Sequence, residues 1–157
     1  MRYRAFTEID HDAIVALERI VLLQEEPTFD SLPEKEKEGR IRTTEASLRF
    51  FQRTEHSFVA EFDDVIHGAV LAQSVWHGDK PTVWISRIMI HPDAPEGTLT
   101  GLLKACSKSA YDTAIYELHT CLTPDQVADA EGFRSQGIYA VRHLGSRSET
   151  APGDKLA

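Results

Sequence analysis

The sequence predicts an α+β fold in αβα layers: a mixed, mostly antiparallel twisted sheet with one parallel pair, flanked by helices. Three observations carry this. From Ser57 to Ile90 apolar residues alternate with polar ones between short turn signals, which specifies an antiparallel meander of three strands. Between Pro92 and Leu99 the hydrophobic period then switches from two to 3.6, so a helix follows directly on a strand. A further alternating stretch comes after that helix, and a strand–helix–strand crossover within one sheet returns the chain parallel to its first strand.

Taken in order, Arg2-Tyr-Arg-Ala-Phe6 reads as a short first strand. Thr7 or Asp10 caps the helix after it, whose apolar face is Ile14, Leu17, Ile20 and Val21 and which ends by Pro27. Thr28 to Pro33 is loop-like. The charge run Glu34 to Arg40 reads as a solvated helix face, and Thr44 to Arg53 is amphipathic, with Leu48, Phe51 and Gln52 around one side. Phe58, Ala60 and Phe62 alternate with Val59 and Glu61, Asp63-Asp64 turns the chain, and Val65 to Trp76 runs back. His77 to Pro81 turns it again into Val83–Ile90, which stops at Pro92, a residue with no N–H for a sheet ladder.

Leu99, Leu102, Leu103, Cys106 and Ala110 recur at helical spacing, giving a helix from Thr98 to Thr113. Ile115 to Leu122 follows as the parallel strand, with Tyr116, Leu118, Thr120 and Leu122 on its core face. Thr123-Pro-Asp-Gln126 is a capping box with Pro at the first helical position, and Gly132 supplies a left-handed stop, so a short helix is specified. Ile138 to Leu144 reads as a last strand, giving one domain over residues 1–144 and a flexible tail over 145–157.

Composition narrows the function classes. At 157 residues and 41% hydrophobic, the chain is the size of one domain that buries about two-thirds of its unfolded surface. No apolar run approaches the ~20 residues of a membrane span, and the N-terminus lacks the apolar core of a signal peptide, so the reading is cytoplasmic with no membrane partner. A net charge of −8 argues against non-specific nucleic-acid binding. The histidine spacing shows no metal site, and Cys106 and Cys121 read as small buried hydrophobes. His56, His67, His77 and His91 read as surface residues.

Phe58-Val-Ala-Glu-Phe-Asp-Asp, His67-Gly-Ala-Val-Leu, Ile88-Met-Ile-His-Pro, the Gly97 turn backed by Leu102-Leu103, and Glu131-Gly-Phe133, in that order, resemble the GNAT superfamily of acyl-CoA-dependent N-acetyltransferases. The resemblance covers nearly the whole domain. It implies an open V between the fourth and fifth strands, acetyl-CoA or another acyl-CoA as co-substrate, and a small-molecule or protein amine as acceptor. It also implies that Ile88, Met89 and Ile90 lend their backbone to the pantetheine arm. The turn and helix start, Glu96, Gly97, Thr98, Leu99 and Thr100, would then face the pyrophosphate. Independently of any family, the unpaired amides of a helix start attract anions. Where the family turn usually reads R/Q-x-x-G-x-G/A, this chain has Ala94-Pro-Glu-Gly-Thr-Leu99, and a register two residues later, using Leu99 and Gly101, matches no better. At the position of the tyrosine that commonly protonates the leaving thiolate stands Ala128.

An amine nucleophile must lose a proton, and His119 is the candidate base, on the strand face opposite Leu118 with Glu117 and Cys121. Tyr139 is the candidate hydroxyl donor. Arg87 reads either as a structural ion pair or as a partner for a substrate carboxylate or a CoA phosphate. Two functions follow from the sequence: an acyltransferase acting on an amine, or a catalytically inactive module of the same fold serving as an acyl-CoA sensor or protein-interaction element. A homodimer is compatible with either.

Overall fold

A computed structural model describes residues 1–142 and 144. Five strands, β1 (Arg2–Ala5), β2 (Phe58–Phe62), β3 (Val65–His77), β4 (Lys80–Ile90) and β5 (Leu118–Thr120), form one sheet in the order β1-β2-β3-β4-β5. The first three pairings are antiparallel, and β4 and β5 are parallel, as the crossover rule requires. Asp63 and Asp64 both adopt positive φ, 50° and 60°, the backbone of a two-residue hairpin turn whose twist matches the flanking strands.

The helices are α1 (His11–Glu25), α2 (Glu34–Arg40), α3 (Glu45–Gln52) and α4 (Thr98–Asp112). Alternation along the strands sends side chains to two cores. On one face Val70, Ala72, Val83, Ile85 and Ile88 meet Leu99, Leu102, Leu103, Cys106 and Ala110 of α4. On the other, Val59, Ala69, Leu71 and Met89 meet Ile14, Leu17 and Val21 of α1 and Leu48 of α3. Each fully buried Leu or Ile contributes about 1.5–3 kcal/mol. Thr44 caps α3 by accepting from the Ser47 amide at 3.2 Å. Arg4 of β1 grips Asp10 through two hydrogen bonds of 2.8 and 2.9 Å and also binds Glu61, which ties the edge strand to the start of α1 and holds the Asp10 carboxyl below the usual carboxylate range.

Several expectations give way. Ile138–Arg142 form no strand; Ile138 is 96% exposed, and the three-residue β5 makes no pairing with them. Strand propensity is expressed only against a neighbouring strand that can pair and pack. His143 and the expected tail, 145–157, lie outside the described residues. The Thr123 capping box forms, but it opens a 3-10 segment, Pro124–Asp129. Tyr116 is exposed and packs edge-on against Tyr111, because β5 begins only at Leu118. Among the cysteines, Cys106 is buried and its thiol is pushed up to about 12, whereas Cys121 is exposed. Among the described residues, no helix is long and apolar enough to cross a membrane.

His56, expected at the surface, is 2% exposed, with Nδ1 2.9 Å from Ser109 Oγ, and burial lowers its pKa. A depressed folded pKa means that the unfolded chain takes the proton first as pH falls from about 6.5. The contribution is therefore present above that pH and is lost as pH falls through the folded value. Thermal melts from pH 7 to pH 5 are expected to show a declining Tm, with a shallower decline in His56→Gln; identical slopes would remove His56 as the cause.

Candidate functional site

The site begins with a bulge. Ala72 pairs with Ile85 while Leu71 pairs with Arg87, leaving Ser86 as an extra residue in β4. A bulge bends its strand. The parallel ladder to β5 covers only Val83 to Ile85, so beyond Ile85 the edge of β4 facing away from β3 has no partner strand among the described residues. The sheet is thus open between β4 and β5 along Arg87–Ile90. Ile88 packs toward α4, Met89 is fully buried on the opposite face, and Ile90 is partly buried.

The start of α4 lies beside this opening, and its polar groups sort into used and unused. Gly97 sits at φ 84°, a left-handed backbone that glycine adopts without strain. The Thr98 amide bonds Pro95 O at 3.2 Å and the Gly101 amide bonds Gly97 O at 2.9 Å. The amides of Gly97, Leu99 and Thr100 make no hydrogen bond among the described residues. Thr98 Oγ1 is spent on Pro95 O and Thr100 Oγ1 on Asp129 O, which docks the 3-10 segment onto α4. Leu99 is a core residue, and Glu96 is exposed. Three free amides at a 15-residue helix start fit an anionic group, while Pro95 offers no N–H and Glu96 opposes negative charge. Gly101 serves packing: Tyr3 lies on it, with Tyr3 Oη 3.4 Å from Gly97 O.

On the α1 side of the sheet is a cleft of about 270 Å³. Trp84 and Arg87 of β4 form its floor, Glu25 and Glu26 at the end of α1 one wall, Arg40 and Arg42 another, and Cys121 and Tyr139 close it. Arg87 holds Glu25 through two bonds of 3.3 Å, with Glu18 at 3.6 Å. Arg40 pairs with Glu26 at 3.2 Å, and the Thr28 hydroxyl together with Arg40 lowers the Glu26 pKa. Arg87 therefore makes the structural ion pair.

Both candidate proton-transfer residues meet at Trp84. The His119 ring lies 6.4 Å from it and the Tyr139 ring 6.2 Å, and His77 abuts His119 edge-on at 5.4 Å. His119 Nε2 stands 3.9 Å from Glu117 Oε2. The sequence reading missed Trp84, Arg42 and Glu18. Trp84 carries a signal in retrospect: it alternates with Val83 and Ile85 and so faces away from the α4 core. Among the described residues no three His, Cys, Asp or Glu side chains gather as metal ligands.

A sheet opened between β4 and β5, with a helix start beside the opening and α1 across the other face, defines the fold class of the GNAT acetyltransferases. Two aminoglycoside acetyltransferase structures share it. One is meta-AAC0020 from an uncultured soil metagenomic sample, in complex with sisomicin: TM-score 0.64, 15% identity, 92% of this chain and 96% of that one. The other is AAC(6')-Iy in complex with CoA: TM-score 0.62, 14% identity, 90% of this chain and 99% of that one. The chain belongs to the family described as protein of unknown function DUF1999, which matches residues 1–157. It is 37% identical to TTHA1254 from Thermus thermophilus over 94% of this chain and 100% of that one, with a TM-score of 0.70. No curated protein matches it.

Proposed function

We propose that this protein is an acyltransferase that takes an acyl group from acetyl-CoA or another acyl-CoA and passes it to an amine held in the cleft beside Trp84. The observation that carries this reading is the opening of β4 from β5 directly beside the three unbonded amides of α4. Ile88, Met89 and Ile90 offer a backbone edge to the pantetheine arm, and Gly97, Leu99 and Thr100 offer N–H groups to the pyrophosphate, with Glu96 and Thr98 shaping the turn. The acceptor nitrogen attacks the thioester carbonyl carbon, forming the C–N bond as the C–S bond breaks. His119 takes the amine proton directly or through water, and Tyr139 or water returns one to the leaving sulfur. The thiol's ordinary pKa makes it a fair leaving group without a dedicated acid. In this reading residues 1–144 act as one domain.

A second reading, an acyl-CoA sensor without turnover, is favoured by Ala128 in place of the phenol. Calorimetry with acetyl-CoA followed by an acyl-transfer assay separates the two: both bind, and only the first turns over. No heat at millimolar acetyl-CoA overturns both. Because Glu96 opposes the diphosphate at a helix start, Glu96→Gln is expected to tighten acetyl-CoA by about two- to fivefold, matching the ~0.3–1 kcal/mol of such a charge. Unchanged or weaker binding counts against the pyrophosphate position.

A further inference from the structure

We infer that the acceptor carries a carboxylate as well as its amine, so that the cleft takes an amino-acid-like molecule and discriminates against polyamines. This rests on the acyl-transfer reading and concerns the acceptor side of the same site. Arg87 is the first observation. A guanidinium has five N–H donors, yet here two reach Glu25 at 3.3 Å, beyond the usual 2.7–3.2 Å range, and the buried Nε makes no hydrogen bond. Glu25 is 44% exposed, whereas Arg87 is 17% exposed. A ligand carboxylate is therefore able to take the place of Glu25 on a fixed guanidinium while Glu25 turns to water. The bidentate geometry that arginine prefers supports the exchange.

Arg42 is the second. Its Nη1 donates to Gly39 O at 2.6 Å and to Ile41 O at 3.3 Å, and among the described residues no carboxylate pairs with its guanidinium. Glu26, by contrast, is already engaged by Thr28 and Arg40. With buried Glu18 3.6 Å from Arg87, the three arginines of the cleft are matched by three glutamates, and Arg42 is the guanidinium with no carboxylate among the described residues. That unpaired guanidinium attracts an anionic group and disfavours a second cation beside it. Trp84 and Tyr139, with planes 30° apart, supply an apolar wall for the carbon skeleton between carboxylate and amine. A cleft of about 270 Å³ lies just below the ~300–1,000 Å³ typical of small-molecule sites, so the molecule is small.

The test uses the full chain, first shown to bind acetyl-CoA by calorimetry and then saturated with CoA. A panel of amino acids is titrated in, each beside the amine left on removing its carboxylate, with sisomicin as the polycation. The amino acids are expected to bind about tenfold tighter than their paired amines, the scale of one charge-assisted hydrogen bond. In turnover, Arg42→Gln is expected to raise KM for the amino acid by a similar factor with kcat unchanged, leaving KM for the paired amine where it was; Arg42→Lys restores part of the loss. Equal or tighter binding of the decarboxylated amines or of sisomicin overturns the inference, and so does an absence of heat from every amino acid. In those cases acetyl-CoA binding still stands by itself, whereas failure to bind acetyl-CoA removes the acyl-transfer reading and the inference together.

Discussion

Gly101→Ala is expected to destabilise the protein by about 2 kcal/mol, and the same substitution is expected to stabilise it slightly once Tyr3 is gone. A Cβ at position 101 would stand 1.9 Å from Tyr3 Cζ and 2.1 Å from its Oη, so the ring cannot keep its place. Displacing it forfeits packing between β1 and α4, and overpacking of this kind costs ~1–3 kcal/mol. Against this, Ala in a helix interior is favoured over Gly by ~1 kcal/mol. In a Tyr3→Ala background only the second effect remains, so the sign inverts. Thermal melts of the two single variants and the double variant close the cycle, with ~2–4 °C of Tm expected for each kcal/mol at this size. A Gly101→Ala protein that melts with the parent would show that the ring moves freely, and that the glycine has a purpose other than contact with Tyr3.

That glycine shows where the sequence could be read and where it could not. The meander was legible because its information is local: alternation in Phe58–Phe62 and Val65–His77, and the Asp63-Asp64 turn between them. The parallel placement of β5 followed from chirality and needed no contact information. Gly101, by contrast, was weighed only as a partner for pyrophosphate, since the residue that needs it is 98 positions earlier, in β1. Of the strand expected at 138–144, residues 138–142 form none, for the related reason that alternation specifies a face but not a partner. His56 was misplaced because a histidine beside a turn carries no mark of the helix, α4, that covers it through Ser109.

The candidate site was legible in halves. The helix start at Gly97 was visible from the change of period, although which amides remain unbonded depends on the turn geometry of Pro95 and Gly97. His119 and Tyr139 were singled out separately, and only the structure sets both against Trp84. The charge balance of the cleft was invisible, because its arginines and glutamates come from the end of α1, from the end of α2 and the connection after it, and from β4, stretches with no pattern in common. The bulge at Ser86 shows in β4 as a change of phase, Val83 and Ile85 and then Ile88 facing the same core, and it lies where the sheet opens.

Glu18→Ala is expected to have the largest effect of any single change, about 3–5 kcal/mol. Glu18 is 1% exposed on the core side of α1, between Ile14 and Leu22 in the helical stripe. Its Oε1 accepts from the Arg42 amide at 2.9 Å and faces Arg87 Nε at 3.6 Å, and its Oε2 accepts from the Thr43 amide at 3.0 Å and from the Thr43 hydroxyl. One carboxylate thus ties α1 to the α2–α3 connection and to β4. Removing it leaves two amides without their acceptor and an arginine without its buried countercharge, the situation in which losing one partner costs far more than the pair contributes. Glu18→Gln keeps the volume but sets an amide N–H₂ against donors on one side, so an intermediate loss near ~2 kcal/mol is expected. The consequence reaches the cleft, since Arg42 and Arg87 are both positioned through this residue. In Glu18→Gln, the milder variant, amino-acid binding to the CoA-saturated protein should weaken by more than acetyl-CoA binding does, because α4 and the edge of β4 beyond Arg87 make no hydrogen bond to Glu18. Chemical denaturation gives the stability change and calorimetry the two affinities. A Glu18→Ala protein within ~1 kcal/mol of the parent would mean that water replaces the carboxylate at the Arg42 and Thr43 amides, and that the cleft is held by other contacts.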